Sequence, residues 1–280
     1  MILIDMNQIA VANLMMNLKM NNSKTLDESM VRHMILNSIR MYRKEHHSEY
    51  GEVVLTWDSK HSWRRDYYPE YKASRRKGRE ESNLNWDDIF ETLNKIRNEI
   101  KENFPYKYLE VFGAEADDII GFLCEENRDE KIMIISGDKD FIQLQKYSNV
   151  TQWSPITKKQ VNGFDPTIYL KEHILKGDTS DGVPNVLSPD NTFVDGLRQR
   201  PLSRKKIQSW LVGGGSDWND EVKRNFQRNL TLIDLTKTPE ELKNQIRLEY
   251  NNAPHGDRSK LLNYFMQNKL KELTENIGEF

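Results

Sequence analysis

Residues 115–144, EADDIIGFLCEENRDEKIMIISGDKDFIQL, decide the fold. Within them KIMIIS, from Lys131 to Ser136, is a short apolar run bounded by turn residues, the pattern of a strand buried on both faces. Gly137 then turns the backbone, which puts Asp138 and Asp140 just past the carboxyl end of that strand, the edge where open α/β sheets bind ligands. Glu115, Asp117 and Asp118 open the helical segment before the strand and are expected to face the same crevice. An acid in a first helical turn is ordinarily explained by the helix dipole, and Asp-Lys-Asp after a strand by a solvated turn. Recurrence argues for more: MILID ends on Asp5 and EVVLTWD on Asp58, so three separate apolar runs deliver a carboxylate at the same end. Carboxylates that converge in this way need a cation.

A chain of 280 residues can bury a large core and carry a smaller appendage. With 37% hydrophobic and 30% charged residues it reads as a water-soluble protein, and no apolar run approaches the length of a membrane span. The amino terminus enters a strand directly, without the segments of a signal peptide, so the cytoplasm is the expected location and a monomer the expected state. Cys124 is the single cysteine, set beside Phe122 and Leu123 on an apolar helix face, which excludes an intramolecular disulfide and zinc held by thiolates. Net charge is only -2, yet residues 60–79, KHSWRRDYYPEYKASRRKGR, carry eight Lys/Arg against two acids, with three tyrosines and a tryptophan interleaved. Cations alternating with aromatics suit a nucleic-acid backbone better than a solvated loop, and Arg64, Arg65, Lys72, Arg75, Arg76 and Arg79 are the candidate contacts.

Periodicity supplies the rest of the order. Residues 2–5 and 53–55 read as strands, and apolar residues from Leu26 to about Tyr42 recur at helical spacing as ordinary core. Pro69 is placed to start a helix carrying Tyr71, Lys72, Arg75, Arg76 and Arg79. Asn85 with Asp88 reads as the cap of a packed helix over residues 86–100. Tyr108–Val111 and Val150–Trp153 complete an α/β order with a mostly parallel central sheet flanked by helices. His33, His46 and His47 have no acid or thiol partners at ligand spacing and read as structural. Asp178 and Asp181 fall in LKGDTSDGVPNV, a turn between helices, and residues 186–280 read as short helices interrupted by Gly213-Gly214-Gly215-Ser216.

TWDSK with Asp58, RRDYYPEYKASR with Lys72 and Arg75, AEADD from Ala114, SGDKDF from Ser136 and GDTSD from Gly177 resemble, in this order, the motifs of the 5′ nuclease family of flap endonucleases and polymerase-associated 5′-exonucleases, and within it the branch of T-even bacteriophage RNases H. The resemblance implies a PIN-like parallel-sheet nuclease domain over residues 1–185, with a helical arch at 59–105, and a helical DNA-binding region at 186–280. It implies two Mg²⁺, with Mn²⁺ as a substitute, held directly or through water by Asp5, Asp58, Glu115, Asp117, Asp118, Asp138, Asp140, Asp178 and Asp181. Catalytic roles would fall to Lys72, Arg79, Asp117 and Asp138. Implied substrates are DNA with a 5′ flap, nick or RNA primer and RNA–DNA hybrids, met during replication in the cytoplasm of an infected host cell. Oxygen-only ligands suit these ions independently of the resemblance.

Two competing readings are weaker. Aspartyl-phosphate phosphatases also begin with a strand ending in Asp, but need a second acid two residues on, where this chain has Asn7. A silent nuclease-like module binding branched DNA would be expected to have lost some of the acids. One departure from the family stands out: most relatives follow GD-x-x-D with a glycine-rich hairpin that holds duplex phosphates, whereas here the chain continues LSPDNTFVDGLRQRPLSRKK. Arg198, Arg200, Arg204, Lys205 and Lys206, around a proline break, are the expected substitute anchor. The tail LTENIGEF is a candidate for docking on a sliding clamp or single-strand-binding protein, or for packing on its own domain.

Overall fold

The computed structural model describes residues 1–20 and 26–280. Strand β1 (Ile2–Asp5) runs into helix α1 (Met6–Met20), and α2 (Glu28–Tyr50) returns to β2 (Val53–Thr56). Helices α3 (Trp63–Tyr67), α4 (Ser74–Glu81) and α5 (Trp86–Asn103) lead to β3 (Lys107–Leu109), and α6 (Ala116–Glu126) to β4 (Ile132–Ile135). A 3-10 segment (Lys139–Lys146) precedes β5 (Val150–Ser154) and the short β6 (Lys159–Gln160). Six helices follow: α7 (Pro166–Lys176), α8 (Arg204–Gly213), α9 (Asp220–Ile233), α10 (Glu240–Asn252), α11 (Leu261–Gln267) and α12 (Lys271–Glu275). None is long and apolar enough to cross a membrane.

The sheet order is β3-β2-β1-β4-β5-β6, parallel throughout except for the β5–β6 hairpin at one edge. From β1 the chain first builds outward through β2 and β3, then crosses back to lay β4 on the other side of β1. That reversal opens a crevice at the carboxyl ends of β1 and β4, where this topology binds ligands. The strands are apolar on both faces because both faces are covered. Ile2, Ile4, Val53, Leu55, Met133 and Ile135 pack with α1, α2 and α5, while Leu3, Val54, Ile132 and Ile134 pack with α6 and the 3-10 segment. Cys124 belongs to the second layer and is buried, in keeping with a packing role.

Two expectations change. Pro69 does not begin a helix: α4 starts at Ser74, because Tyr68 and Tyr71 bury against Ile174, Val183, Leu232 and Ile233. Lys72 takes φ 57°, and its amide donates to the Asp181 carbonyl at 2.7 Å, which holds 68–73 as a turn tied to the GD-x-x-D segment. Arg204, Lys205 and Lys206, beyond the proline break, form the first turn of α8, capped by the Ser203 hydroxyl accepting from the Lys206 amide at 3.2 Å. Finally, residues 186–280 do not make one lobe. Val186, Ile207, Trp210 and Val222 pack with Leu175 of α7, but Leu242 and Ile246 of α10 join one face of the sheet and α11, α12 and Phe280 join the other.

Phe280 is fully buried, its ring 5.0 Å from that of Phe265 and 5.7 Å from that of Phe104. The neighbouring Glu279 pairs with Arg40 and Lys44 on α2. The tail therefore packs on its own domain. Phe280→Ala is expected to cost about 3–5 kcal/mol of stability, the usual loss for emptying a buried aromatic site. Urea unfolding measures it, and an unchanged midpoint would contradict the packing described.

Candidate metal centre

Each sheet strand at the crevice ends in a carboxylate held by backbone donors. Asp5 closes β1, where one oxygen accepts from the Gln8 amide at 3.1 Å and the other from the Ser136 hydroxyl at 3.0 Å. Asp58, just past β2, accepts from the Ala116 amide at 2.8 Å and so caps the open end of α6. Asp138, past β4, accepts from the Asp140 amide at 2.9 Å, and Gly137 donates to the Gln8 side chain at 2.6 Å. Gln8 and Ser136 thus bind the ends of the two central strands to each other. Asp117 enters from the first turn of α6. A cleft of about 270 Å³ is lined by Asp5, Asp58, Asp117, Asp138, Asp140, Asp178 and Asp181, with only Lys72 and Arg75 as cations among its lining residues.

Asp178 and Asp181 arrive on a sharp turn after α7. Gly177 takes φ 68°, and a Cβ there would lie 2.3 Å from the Val183 carbonyl oxygen, so only glycine lets the chain fold back this tightly. Asp178 accepts from the Ser180 amide at 2.7 Å and its hydroxyl at 2.6 Å. Asp181 faces Tyr71 at 2.7 Å, Lys72 at 3.6 Å and Arg75. Between Asp140 and Asp178 stands His173, from the last turn of α7, with Nδ1 3.3 Å from Asp140 and Nε2 3.7 Å from Asp178. Sequence reading missed this histidine. Its signal was its place, on the helix that delivers GD-x-x-D, within one turn of that helix's end.

Two of the expected ligands are engaged elsewhere. Asp118 is completely buried, with oxygens taking donors from Arg64 at 2.8 Å, Thr238 at 2.8 Å, the Glu115 amide at 2.9 Å and Trp63 at 3.2 Å. It locks α6 to α3 and to the segment after α9 and does not line the cleft. Glu115 accepts from Lys72 at 2.6 Å and Arg64 at 3.1 Å and touches the Tyr71 hydroxyl at 2.8 Å. Arg64, expected to contact nucleic acid, is 2% exposed and spends its donors on these two acids and on the Leu232 carbonyl. Breaking such a buried pair typically costs about 3–5 kcal/mol; Arg64 is an internal tie and cannot touch a phosphate from where it stands.

The remaining basic residues are at the surface. Arg65 and Arg76 are exposed, Arg76 paired with Glu80 at 2.9 Å, and Arg79 is half-buried with its guanidinium 5.8 Å from the Phe90 ring centre. A larger cavity of about 540 Å³ adjoins the cleft beneath α4, lined by Arg75, Arg79, Trp57, Trp86 and Phe90 among others, and it shares Asn7, Val11 and Asp58 with the acidic cleft. Arg204, Lys205 and Lys206 are exposed, and Lys206 lies over Trp210.

The acids carry the electrostatic mark of uncompensated charge. Burial pushes Asp5 up to about 7, with repulsion from Asp58 and Asp138 adding to it against the Gln8 and Ser136 hydrogen bonds. Burial and then the Asp138 charge push Asp140 up to about 7, and raise Asp117 well above the usual carboxylate range. Asp58 is raised by burial too. Asp178 is drawn down against its burial by His173 and Ser180, and Glu115 against its burial by Lys72 and Arg64. A compact set of oxygen donors with more negative charge than the surrounding protein balances suits a hard divalent cation such as Mg²⁺ or Mn²⁺.

Comparison with known proteins agrees with the geometry. The family described as the 5'-3' exonuclease N-terminal resolvase-like domain matches residues 1–173, and that described as the T4 RNase H C-terminal domain matches residues 165–280. The chain is 36% identical over 296 residues to ribonuclease H of Enterobacteria phage T4, covering 99% of this chain and 95% of that protein. It is 31% identical over 217 residues to a 5'-3' exonuclease of Buchnera aphidicola subsp. Acyrthosiphon pisum, covering 71% of this chain and 72% of that one. Its fold is similar to that of the bacteriophage T5 flap endonuclease, solved in a complex with DNA and metal ions, at TM-score 0.63 and 17% identity over 89% of this chain and 97% of the other.

The raised carboxyls set a pH dependence. A carboxyl whose folded pKa exceeds its unfolded value near 4 keeps its proton longer when folded, so the metal-free protein loses stability from Asp5 and Asp140 as pH rises from about 4 to about 7. A divalent ion needs those carboxylates ionised and competes with the protons. The rise in Tm on replacing EDTA by excess Mg²⁺ is therefore expected to be larger at pH 8 than at pH 5.5. Equal rises at the two pH values would contradict this.

Proposed function

This chain belongs to the 5′-3′ exonuclease family, and from that premise we propose that it is a structure-specific 5′ nuclease that hydrolyses phosphodiesters in RNA primers and 5′ flaps during replication, with RNase H activity on RNA–DNA hybrids. The observation that carries the reading is the convergence of seven aspartates in one cleft beside a cation-lined cavity. Asp5, Asp58, Asp117, Asp138, Asp140, Asp178 and Asp181 would hold two Mg²⁺, with Mn²⁺ as a substitute. When bound, the ions supply positive charge that activates the attacking water and stabilises the leaving oxygen of an in-line displacement.

The protein's own groups do the positioning. Lys72 presents an ammonium at the cleft wall, and although burial pulls its pKa down, Asp181 and Glu115 outweigh that and keep it charged beside the position of a scissile phosphate. Glu115, tied to Lys72 and Arg64, serves by aiming that lysine. Arg75 lines both the cleft and the larger cavity, and Arg79 lines the cavity, where cations beside Trp86 and the exposed Phe90 suit an unpaired strand with its bases against rings. On the duplex side, the first turn of α8 adds the charges of Arg204, Lys205 and Lys206 to the positive end of a helix, in a lobe packed on the α7 that carries His173.

A single flap substrate labelled separately at its 5′ and 3′ ends, with and without Mg²⁺, tests polarity, metal dependence and structure preference at once. The expected result is metal-dependent release of short 5′-labelled products from the flap junction; 3′-end trimming would overturn the reading. Asp138→Asn should leave DNA binding near normal and slow cleavage by about a thousandfold or more, while near-normal turnover would remove Asp138 from the centre. Replacing Arg204, Lys205 and Lys206 together by Ala should weaken duplex binding and reduce its salt slope by about one for each phosphate that is no longer neutralised. An unchanged slope would place the duplex anchor elsewhere.

A further inference from the structure

The two-ion reading of the cleft gives His173 no ligand role. The carboxylates of the cleft are enough to hold two hard cations, yet a histidine side chain only 16% exposed has been placed between two of them. Both its ring nitrogens face carboxylates, Asp140 at 3.3 Å and Asp178 at 3.7 Å. One ligand atom from each of the three residues lies within 4.8 Å of the other two. Donors arranged around one ion at about 2.0–2.2 Å lie from about 3 to about 4 Å apart, so small side-chain movements close this set on a cation.

The supporting frame is rigid where it needs to be. His173 sits on a regular helix whose end is fixed by Gly177, the Tyr169 ring meets it edge-on at 5.9 Å, and Asp178 is held by Ser180. A ligating imidazole usually donates its second ring N–H to a carboxylate, which fixes the tautomer and orientation. Here both ring nitrogens already face acids, so the imidazole and the two carboxylates are held together before an ion binds.

We propose that His173 is a direct ligand, with Asp140 and Asp178, of one of the two ions, making that position a mixed nitrogen–oxygen site. The inference rests on the two-ion reading of the cleft and specifies its chemistry. Imidazole suits the first-row transition ions better than Mg²⁺, whereas an all-oxygen set suits Mg²⁺ and Mn²⁺. The two positions are therefore unequal: the one at Asp140, His173 and Asp178 prefers Mn²⁺ or Co²⁺ over Mg²⁺, and the one nearer Asp5, Asp58 and Asp117 lacks that preference.

Pulsed EPR of the full-length protein loaded with Mn²⁺ tests this without reference to activity. The expected spectrum contains the ¹⁴N coupling of a bound imidazole, absent in His173→Gln, while competition titrations show that variant losing about tenfold or more of its preference for Mn²⁺ over Mg²⁺. Mn²⁺ bound by the wild type without ¹⁴N coupling would overturn the ligand assignment and leave the two-ion reading standing. A wild type that binds no Mn²⁺ would overturn both. Should His173→Gln fail to fold, the wild-type coupling decides alone.

Discussion

Burial of a set of mutually repelling aspartates at the carboxyl edge of the sheet is the constraint around which the molecule is arranged. Folding removes these groups from water and sets them side by side, so Asp5, Asp58, Asp117 and Asp140 resist ionisation: Asp5 and Asp140 rise to about 7, and Asp117 well above the usual carboxylate range. The cost is carried by a sheet apolar on both faces, with two helical layers enclosing the strands that hold the acids. Divalent cations bound among these oxygens would relieve the repulsion.

Side-chain cations tie the wall of the cleft to the elements around it. Arg64 is buried against Glu115 and Asp118, and Lys72 bridges Glu115 and Asp181. Through these contacts the basic segment after β2, the first turn of α6 and the GD-x-x-D turn form one connected network, so the segment that spans the larger cavity is tied to the acids it overhangs. The Lys72 amide, donated to the Asp181 carbonyl, adds a backbone link to the same junction. Surface charge and structural charge are thus divided between neighbouring residues of one basic run, with Arg64 inside and Arg65, Arg75 and Arg76 outside.

Much of this was legible from sequence because parallel strands announce themselves. KIMIIS, MILID and EVVLT are apolar at consecutive positions, and an acid after each can only lie at the carboxyl end. Asp5, Asp58, Asp138 and Asp140 follow from that alone, and Asp178 and Asp181 from the family motif. What local pattern could not supply was direction. Asp117 and Asp118 are adjacent in sequence, yet one faces the cleft and the other a buried arginine, because successive helical residues diverge by about 100°. Arg64 and Arg65 part for the same reason. His173 was missed because Asp140, its second partner, is brought to it only by the packing of α7 on the 3-10 segment. The place of the tail was equally non-local: Phe280 finds its pocket against Phe104 and Phe265, far away in the chain.

The central claim is that the aspartates of the cleft are metal ligands and that Glu115 and Asp118 are structural. Anomalous diffraction from crystals of the protein soaked in Mn²⁺ tests this most directly, since it locates each ion without reference to catalysis. Two peaks are expected in the cleft, one against Asp5, Asp58, Asp117 or Asp138 and one against Asp140 and Asp178, with Arg64 still paired to Asp118. Peaks coordinated by Asp118, or a cleft with no peak at saturating Mn²⁺, would contradict it.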